Sequence, residues 1–226
     1  MEVSSLPELA ITGFGRAAGG SYGNVTIDGA GKVDAELSCQ SFVVNGTARV
    51  SGAIRTESFE VNGKMTGKGP LHARLVRING QVHIEGPLSS DEIKLEGILK
   101  LDGSCDAEKF RVHGGFTIAG MLNAGIIDIL LHGRGQVKEI GGEQIKVKLG
   151  ESRSLASVFQ WVVPVFAQHL TAETIEGDEI ELEETTASVV RGNRVIIGSG
   201  CTIGRVEYQS ELRVHPGAKV KERIRC

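Results

Sequence analysis

Aromatic residues are scarce in this sequence. Phe, Trp and Tyr make up 4% of 226 residues, with one Trp, which argues against an enzyme pocket lined with rings. Cysteine is scarce too: Cys39, Cys105, Cys201 and Cys226 form no Cys-x-x-Cys, so neither a zinc pair nor a thioredoxin-like motif is offered. Positive charge is not in excess, with a net charge of -3 and a pI near 6.1, whereas a nucleic-acid-binding domain normally reads as basic. No nucleic-acid partner is expected. No predominantly apolar run reaches the roughly 18 residues that suggest a membrane span. The opening Met-Glu-Val-Ser-Ser has no basic stretch ahead of an apolar one, so no signal peptide is visible and a reducing cytoplasm is the expectation. Gly-x4-Gly-Lys-Ser/Thr and Gly-x-Ser-x-Gly are both absent, which removes a phosphate-loop engine and a serine-nucleophile elbow.

Glycine is what the chain has in plenty, 31 of 226 residues, about twice the usual ~7%. Gly29, Gly46, Gly63, Gly80, Gly97 and Gly114 stand 17 residues apart, and a second set follows at Gly52, Gly69, Gly86, Gly103 and Gly120. Numbering each 17-residue unit from Val25, the first set occupies register 5 and the second register 11. Between these corners apolar residues alternate at registers 1 and 3, 7 and 9, and 13 and 15, the period of a strand. Over residues 25 to 126, 32 of these 36 positions are apolar, and the exceptions Gly31, Gly67, Thr56 and Ser90 are all small. Each unit is too thin to own a core and must borrow one from its neighbours. The fold expected is therefore all-β, a right-handed parallel β-helix with three short strands per coil. Some corner glycines are expected at positive φ, and the Asp28, Asn45, Asn62 and Asn79 that precede them are expected as turn formers.

The pattern extends beyond its strict part. Residues 9 to 24 form a shorter first coil, with Leu9 and Ile11 at registers 1 and 3, and the core is expected over 9–149. Residues 170–226 resume the alternation, with Ile175/Val190, Ile180/Val195 and Leu182/Ile197 at 15-residue intervals. Between them lies an apolar insert, 150–169. Its stretch 154–170 reads as a short helix, with Leu155, Val158, Phe159, Val162 and Phe166 on one face and Pro164 as a kink or stop. That segment serves either as a lid over the last regular coil or as a membrane or partner contact through Phe159, Trp161 and Phe166.

The remaining motifs point to no catalysis. Gly13-Phe-Gly15-Arg-Ala-Ala18 matches a dinucleotide fingerprint, but the Gly19-Gly20-Ser-Tyr-Gly23 behind it cannot start the helix that would hold a pyrophosphate. His72, His83 and His113 fall at different outward registers, so no shared metal is expected. Cys39 and Cys105 occupy inward registers four coils apart, roughly 19 Å at ~4.8 Å per coil, and read as small buried hydrophobes. No catalytic residue, cofactor or metal is expected. A basic line at register 8 (Lys32, Arg49, Thr66, His83, Lys100) and a mixed one at register 2 (Glu60, Arg77, Lys94, Arg111) are solvated faces or contacts for an anionic lipid surface or acidic partner.

The VNG, ING and LEG corners at 44–46, 61–63, 78–80 and 95–97, with the paired corner glycines, resemble the bactofilins, bacterial cytoskeletal proteins with a β-helical core. The resemblance runs over about 9–149, and the tail at 177–208 resembles longer variants of spore-forming Gram-positive bacteria, there linked to flagellar assembly. It implies nucleotide-independent, non-polar filaments, often membrane-associated, that scaffold client proteins. Two alternatives are a hexapeptide-repeat acyltransferase, suggested by Val195-Ile-Ile-Gly198 and Ile203-Gly204, and a polysaccharide-processing β-helix. For self-association the expected contacts are Leu9, Ile11 and Phe14 at one end and Val195, Ile197 and Ile203 at the other, because terminal coils leave strand edges open.

Overall fold

The computed structural model describes residues 6–150 and 168–226, and every regular element among them is a strand. A short opening coil contains β1 (Leu9–Ile11) and β2 (Phe14–Ala17). Eight-residue and four-residue strands then alternate: β3 (Gly20–Ile27), β4 (Ala30–Val33), β5 (Leu37–Val44), β6 (Thr47–Val50), β7 (Ile54–Val61), β8 (Lys64–Gly67), β9 (Leu71–Ile78), β10 (Gln81–Ile84), β11 (Leu88–Leu95) and β12 (Ile98–Leu101). The long β13 (Cys105–Leu149) winds through more than two coils, and β14 (His169–Leu182), β15 (Thr185–Ile197), β16 (Thr202–Val214) and β17 (Lys219–Arg225) complete the stack.

All strand pairings among the described residues are parallel, each strand meeting the one a coil further on, so the chain is a parallel β-solenoid of about 12 turns. The offset is 17 residues in Val25↔Phe42 and Phe42↔Phe59. It becomes 15 in Ile175↔Val190 and 16 in Val190↔Val206, and a bulge between Gly192 and Arg194 restores 17 at Arg194↔Glu211. Two of the three strands expected per coil run together, because the bend at register 16 needs no turn: the β5–β7 ladder merely skips Gln40 between Cys39↔Thr56 and Ser41↔Ser58.

The inward registers fill as the alternation requires. Phe42, Val44, Phe59, Val61, Val76, Ile78, Ile93, Phe110 and Val112 are fully buried, and Phe42 stacks on Phe59 with centroids 5.4 Å apart. Each such side chain contributes about 1.5–3 kcal/mol by leaving water. Among the described residues the one buried polar side chain is Thr185, which donates to the Glu183 carbonyl at 2.8 Å.

The corner glycines are needed for a reason other than the one the sequence suggests. Gly29 to Gly114 all keep negative or extended φ; positive φ occurs at Gly13, Gly19, Gly20, Gly200 and Glu184. Instead the corners stack so closely that a Cβ on Gly63 would fall onto the carbonyl oxygen of Gly46, and one on Gly80 onto that of Gly63, at distances real Cβ atoms do not adopt. The second column behaves alike: a Cβ on Gly69 would lie 2.8 Å from the Ala53 nitrogen. The polar residues before the first column also have φ below zero. They form a ladder in which Asn45 Nδ2 donates to Asp28 Oδ1 (2.7 Å), Asn62 Nδ2 to Asn45 Oδ1 (2.8 Å) and Asn79 Nδ2 to Asn62 Oδ1 (2.7 Å).

Most of the apolar segment 154–170 lies outside the described residues. Where description resumes, His169 and Leu170 are strand, so the expected helix does not extend to 170; Leu170 takes an inward register between Gly135 and Thr185 and is fully buried. Among the described residues no helix is long and apolar enough to cross a membrane. The fingerprint-like Gly13–Ala18 is part of the first coil, with β2 leading to β3 and no helix behind it.

Candidate self-association surfaces

Inner coils have both backbone edges occupied, so a self-association site is sought where the pairing stops. Among the described residues β1 pairs only with β3, through Leu9↔Val25 and Ile11↔Ile27, and β2 only with β4. Among the described residues cover over this N-terminal edge is slight: Gly23 N–H donates to the Pro7 carbonyl at 2.9 Å, and Asn24 Nδ2 donates to Glu8 Oε1 at 3.0 Å. Leu9, Ala17 and Tyr22 are half-buried on the core, and Ile11 is 7% exposed because its side chain fills the space above Gly15. Both inward positions of β1 are apolar. Phe14, expected at this edge, takes register 6 on β2 and points sideways from the stack, 98% exposed.

At the other end the expected residues are misplaced by one coil. Val195 and Ile197 belong to β15, which lies between β14 and β16, and Ile203 belongs to β16, between β15 and β17; all three are fully buried. They are core. Among the described residues the unpaired C-terminal edge is β17 with the last residues of β16, where Leu212, Val214, Ala218 and Val220 are half-buried against the core. One inward column, Ile140↔Ile175↔Val190↔Val206, ends at Arg223, which is exposed. An inward-facing charge on a terminal strand opposes edge pairing. The 17-residue step from Val206 to Arg223 is the signal that could have revealed it.

The sides carry paired charge. Asp34 is engaged by Arg16 and, at 3.0 Å, by Lys32, and the Arg16 hydrogen bond foremost holds its carboxyl below the usual range. His83 Nε2 meets Asp102 Oδ2 at 2.8 Å, Lys100 meets the other oxygen at 3.0 Å, and the His83 contact is the main cause lowering the Asp102 pKa. Glu92 takes Lys94 at 3.4 Å and Arg111 at 2.6 Å. His72 bonds Ser89 Oγ at 2.6 Å, and His113 is exposed; neither the structure nor the registers bring the histidines together. In the C-terminal coils Arg191 bridges Glu176 (2.9 Å) and Glu207 (2.6 Å) across neighbouring turns.

Cys39, Cys105 and Cys201 are buried thiols. Burial pushes Cys39 up, Cys105 to about 12 and Cys201 to about 11, which disfavours their thiolates. Cys226 is exposed. Phe159, Trp161 and Phe166 lie outside the described residues.

Residues 16–106 match the family model "Bactofilin: Polymer-forming cytoskeletal". Two Bacillus subtilis (strain 168) proteins, both titled uncharacterized, are similar. YhbF is 42% identical over 107 residues, 47% of this chain and 42% of that protein. YhbE is 42% identical over 105 residues, 46% of this chain and 42% of that protein. The chain thus spans about two-fifths of the length of these relatives. No solved structure matches.

Proposed function

We propose that this chain, which carries a bactofilin domain at residues 16–106, is a nucleotide-independent scaffold that polymerises through the ends of its solenoid. The observation that carries the reading is the N-terminal edge, where among the described residues β1 has unpaired backbone and the apolar Leu9 and Ile11 have little cover. A polymer needs two contacts per protomer, and Leu212, Val214 and Val220 at the C-terminal edge supply the second. The filaments are non-polar, joining like edges. The role is non-catalytic and cytoplasmic, with peripheral contact to the membrane and client proteins bound along the sides, in support of flagellar assembly or cell shape. Coil offsets of 17, 15 and 16 residues count against a hexapeptide-repeat acyltransferase, whose coils run in multiples of six.

Electron microscopy of the purified protein without ATP, GTP or metal tests the reading. Filaments are expected. A wild type that stays monomeric in sedimentation at high concentration would remove it.

A further inference from the structure

The net charge of -3 conceals an uneven distribution. The sheet formed by β2, β4, β6, β8, β10 and β12 has its outward side chains at registers 6 and 8, with register 10 at its rim. Over these six coils registers 6 and 8 contain no Asp or Glu. The three columns hold six Lys or Arg (Arg16, Lys32, Arg49, Lys64, Lys68, Lys100) against three acids, Asp34, Glu85 and Asp102. The whole chain has 25 against 28, so the rest of it is left with 19 against 25. Asp34 and Asp102 are taken up by their own neighbours at the two ends. In the middle Arg49, Lys64 and Lys68 are exposed and have no ion-pair partner among the described residues.

The same face holds the most exposed large apolar side chains of the described residues. Phe14 is 98% exposed and Ile98 53%, both at register 6, five coils apart, which is roughly 24 Å at ~4.8 Å per coil. A flat basic sheet with apolar side chains at its two ends fits a plane that is anionic at the surface and apolar just beneath, better than it fits a hydrated acidic polypeptide. Thr47 and Thr66 add hydroxyl donors within the basic field.

We infer that this sheet is a docking face for an anionic lipid bilayer, with Arg49, Lys64 and Lys68 at the headgroups and Phe14 and Ile98 entering the interface. The inference rests on the peripheral membrane contact proposed above and assigns it to a surface of the solenoid. It lays the stack axis parallel to the membrane, so growth at either end is unobstructed.

Vesicle flotation tests it, using the full chain with phosphatidylcholine vesicles or with phosphatidylcholine vesicles carrying phosphatidylglycerol. The wild type is expected to bind only the anionic vesicles and to detach with salt. Arg49→Gln/Lys64→Gln/Lys68→Gln is expected to lose on the order of a hundredfold in affinity, about fivefold per cation, with filaments and circular dichroism unchanged. Arg55→Gln/Arg74→Gln/Arg77→Gln, the same charge removed from other faces, is expected to bind as wild type, and Phe14→Ser/Ile98→Ser to detach at lower salt. Equal binding by the first triple variant and wild type overturns the inference, as does an equal loss in both triples, or loss with Trp161→Glu alone. Binding to poly-glutamate but to no vesicle would assign the face to an acidic polypeptide and likewise overturn it. A filament-forming wild type that binds neither vesicle would instead remove the membrane contact itself.

Discussion

The two ends of the solenoid are finished by different chemistry. At the N-terminal edge both inward positions of β1 are apolar, Leu9 over Val25 and Ile11 over Ile27. At the C-terminal edge an inward column of Ile140, Ile175, Val190 and Val206 stops at Arg223, and the outward Lys219 and Lys221 stand on the same strand. Inner coils are nearly interchangeable, so the character of a β-solenoid as monomer or polymer is decided at its ends. On the proposed end-to-end assembly, the difference implies a stronger junction at the N-terminal edge than at the C-terminal one.

The largest effect is expected where an inner coil is compared with the end coil in the same glycine column. Gly63→Ala puts a Cβ against the Gly46 carbonyl between two fixed coils, and a loss of about 4 kcal/mol or failure to fold is expected. Gly13 begins the column, and a Cβ there meets nothing within 4 Å; its φ of 115° alone costs Gly13→Ala about 1–3 kcal/mol. Lys64→Val, exposed beside Gly63, should stay within about 0.5 kcal/mol of wild type. Thermal unfolding ranks the three. Equal losses at Gly13 and Gly63 would show that the stacked coil is not what forbids a side chain.

Next in size are charges placed at each edge. Ile11→Lys should stop N-terminal joining and leave monomers or weak dimers with unchanged β circular dichroism, whereas Val220→Lys should leave firm dimers joined by the N-terminal edge. Sedimentation separates the outcomes. Mixing the two variants should create no new species, because like edges join; a heterodimer appearing only in the mixture would mean that N-terminal edges meet C-terminal ones and that the filament is polar. Arg223→Val is a smaller change in the opposite direction. It restores an apolar end to the Ile140 column and should lower the concentration at which filaments appear severalfold, and no change would mean that Arg223 is no guard.

The coils were legible because their signals are local and repeated: the glycine spacing and the period-two alternation both follow from every coil meeting the same neighbour. The tail offset of 15 could be read from Ile175/Val190 and Ile180/Val195 and matches the pairing. What could not be read was anything set by one coil pressing on the next. The corner glycines are explained by inter-coil contact and not by φ, and the Asn column is a ladder of amide bonds, a property of stacked residues that a single turn does not display. The C-terminal edge is displaced from Val195, Ile197 and Ile203 because they are good strand residues wherever they fall, and only the pairing shows that the end of β16 lies beyond the first two and β17 beyond the third. Similarly, the basic column at register 8 was visible, but its union with Phe14 and Ile98 on one sheet required the register of neighbouring strands.

The smallest expected effect uses the cysteines as reporters of the two ends. Cys39, Cys105 and Cys201 are buried, and with Cys105 pushed up to about 12 and Cys201 to about 11 their thiolates are scarce at neutral pH. These groups should resist an aromatic disulfide reagent until the protein unfolds. Cys226 lies just past β17, its N–H donating to the Tyr208 carbonyl at 2.9 Å, and it should react at once in dispersed protein. Filaments joined at the C-terminal edge would cover it, so its labelling should slow a fewfold on assembly. Because the C-terminal junction is the weaker one, Ile11→Lys dimers should show the same slowing only at high concentration, and Val220→Lys dimers none. A Cys226 that labels equally fast in wild-type filaments and dispersed chains would place the second junction away from β17.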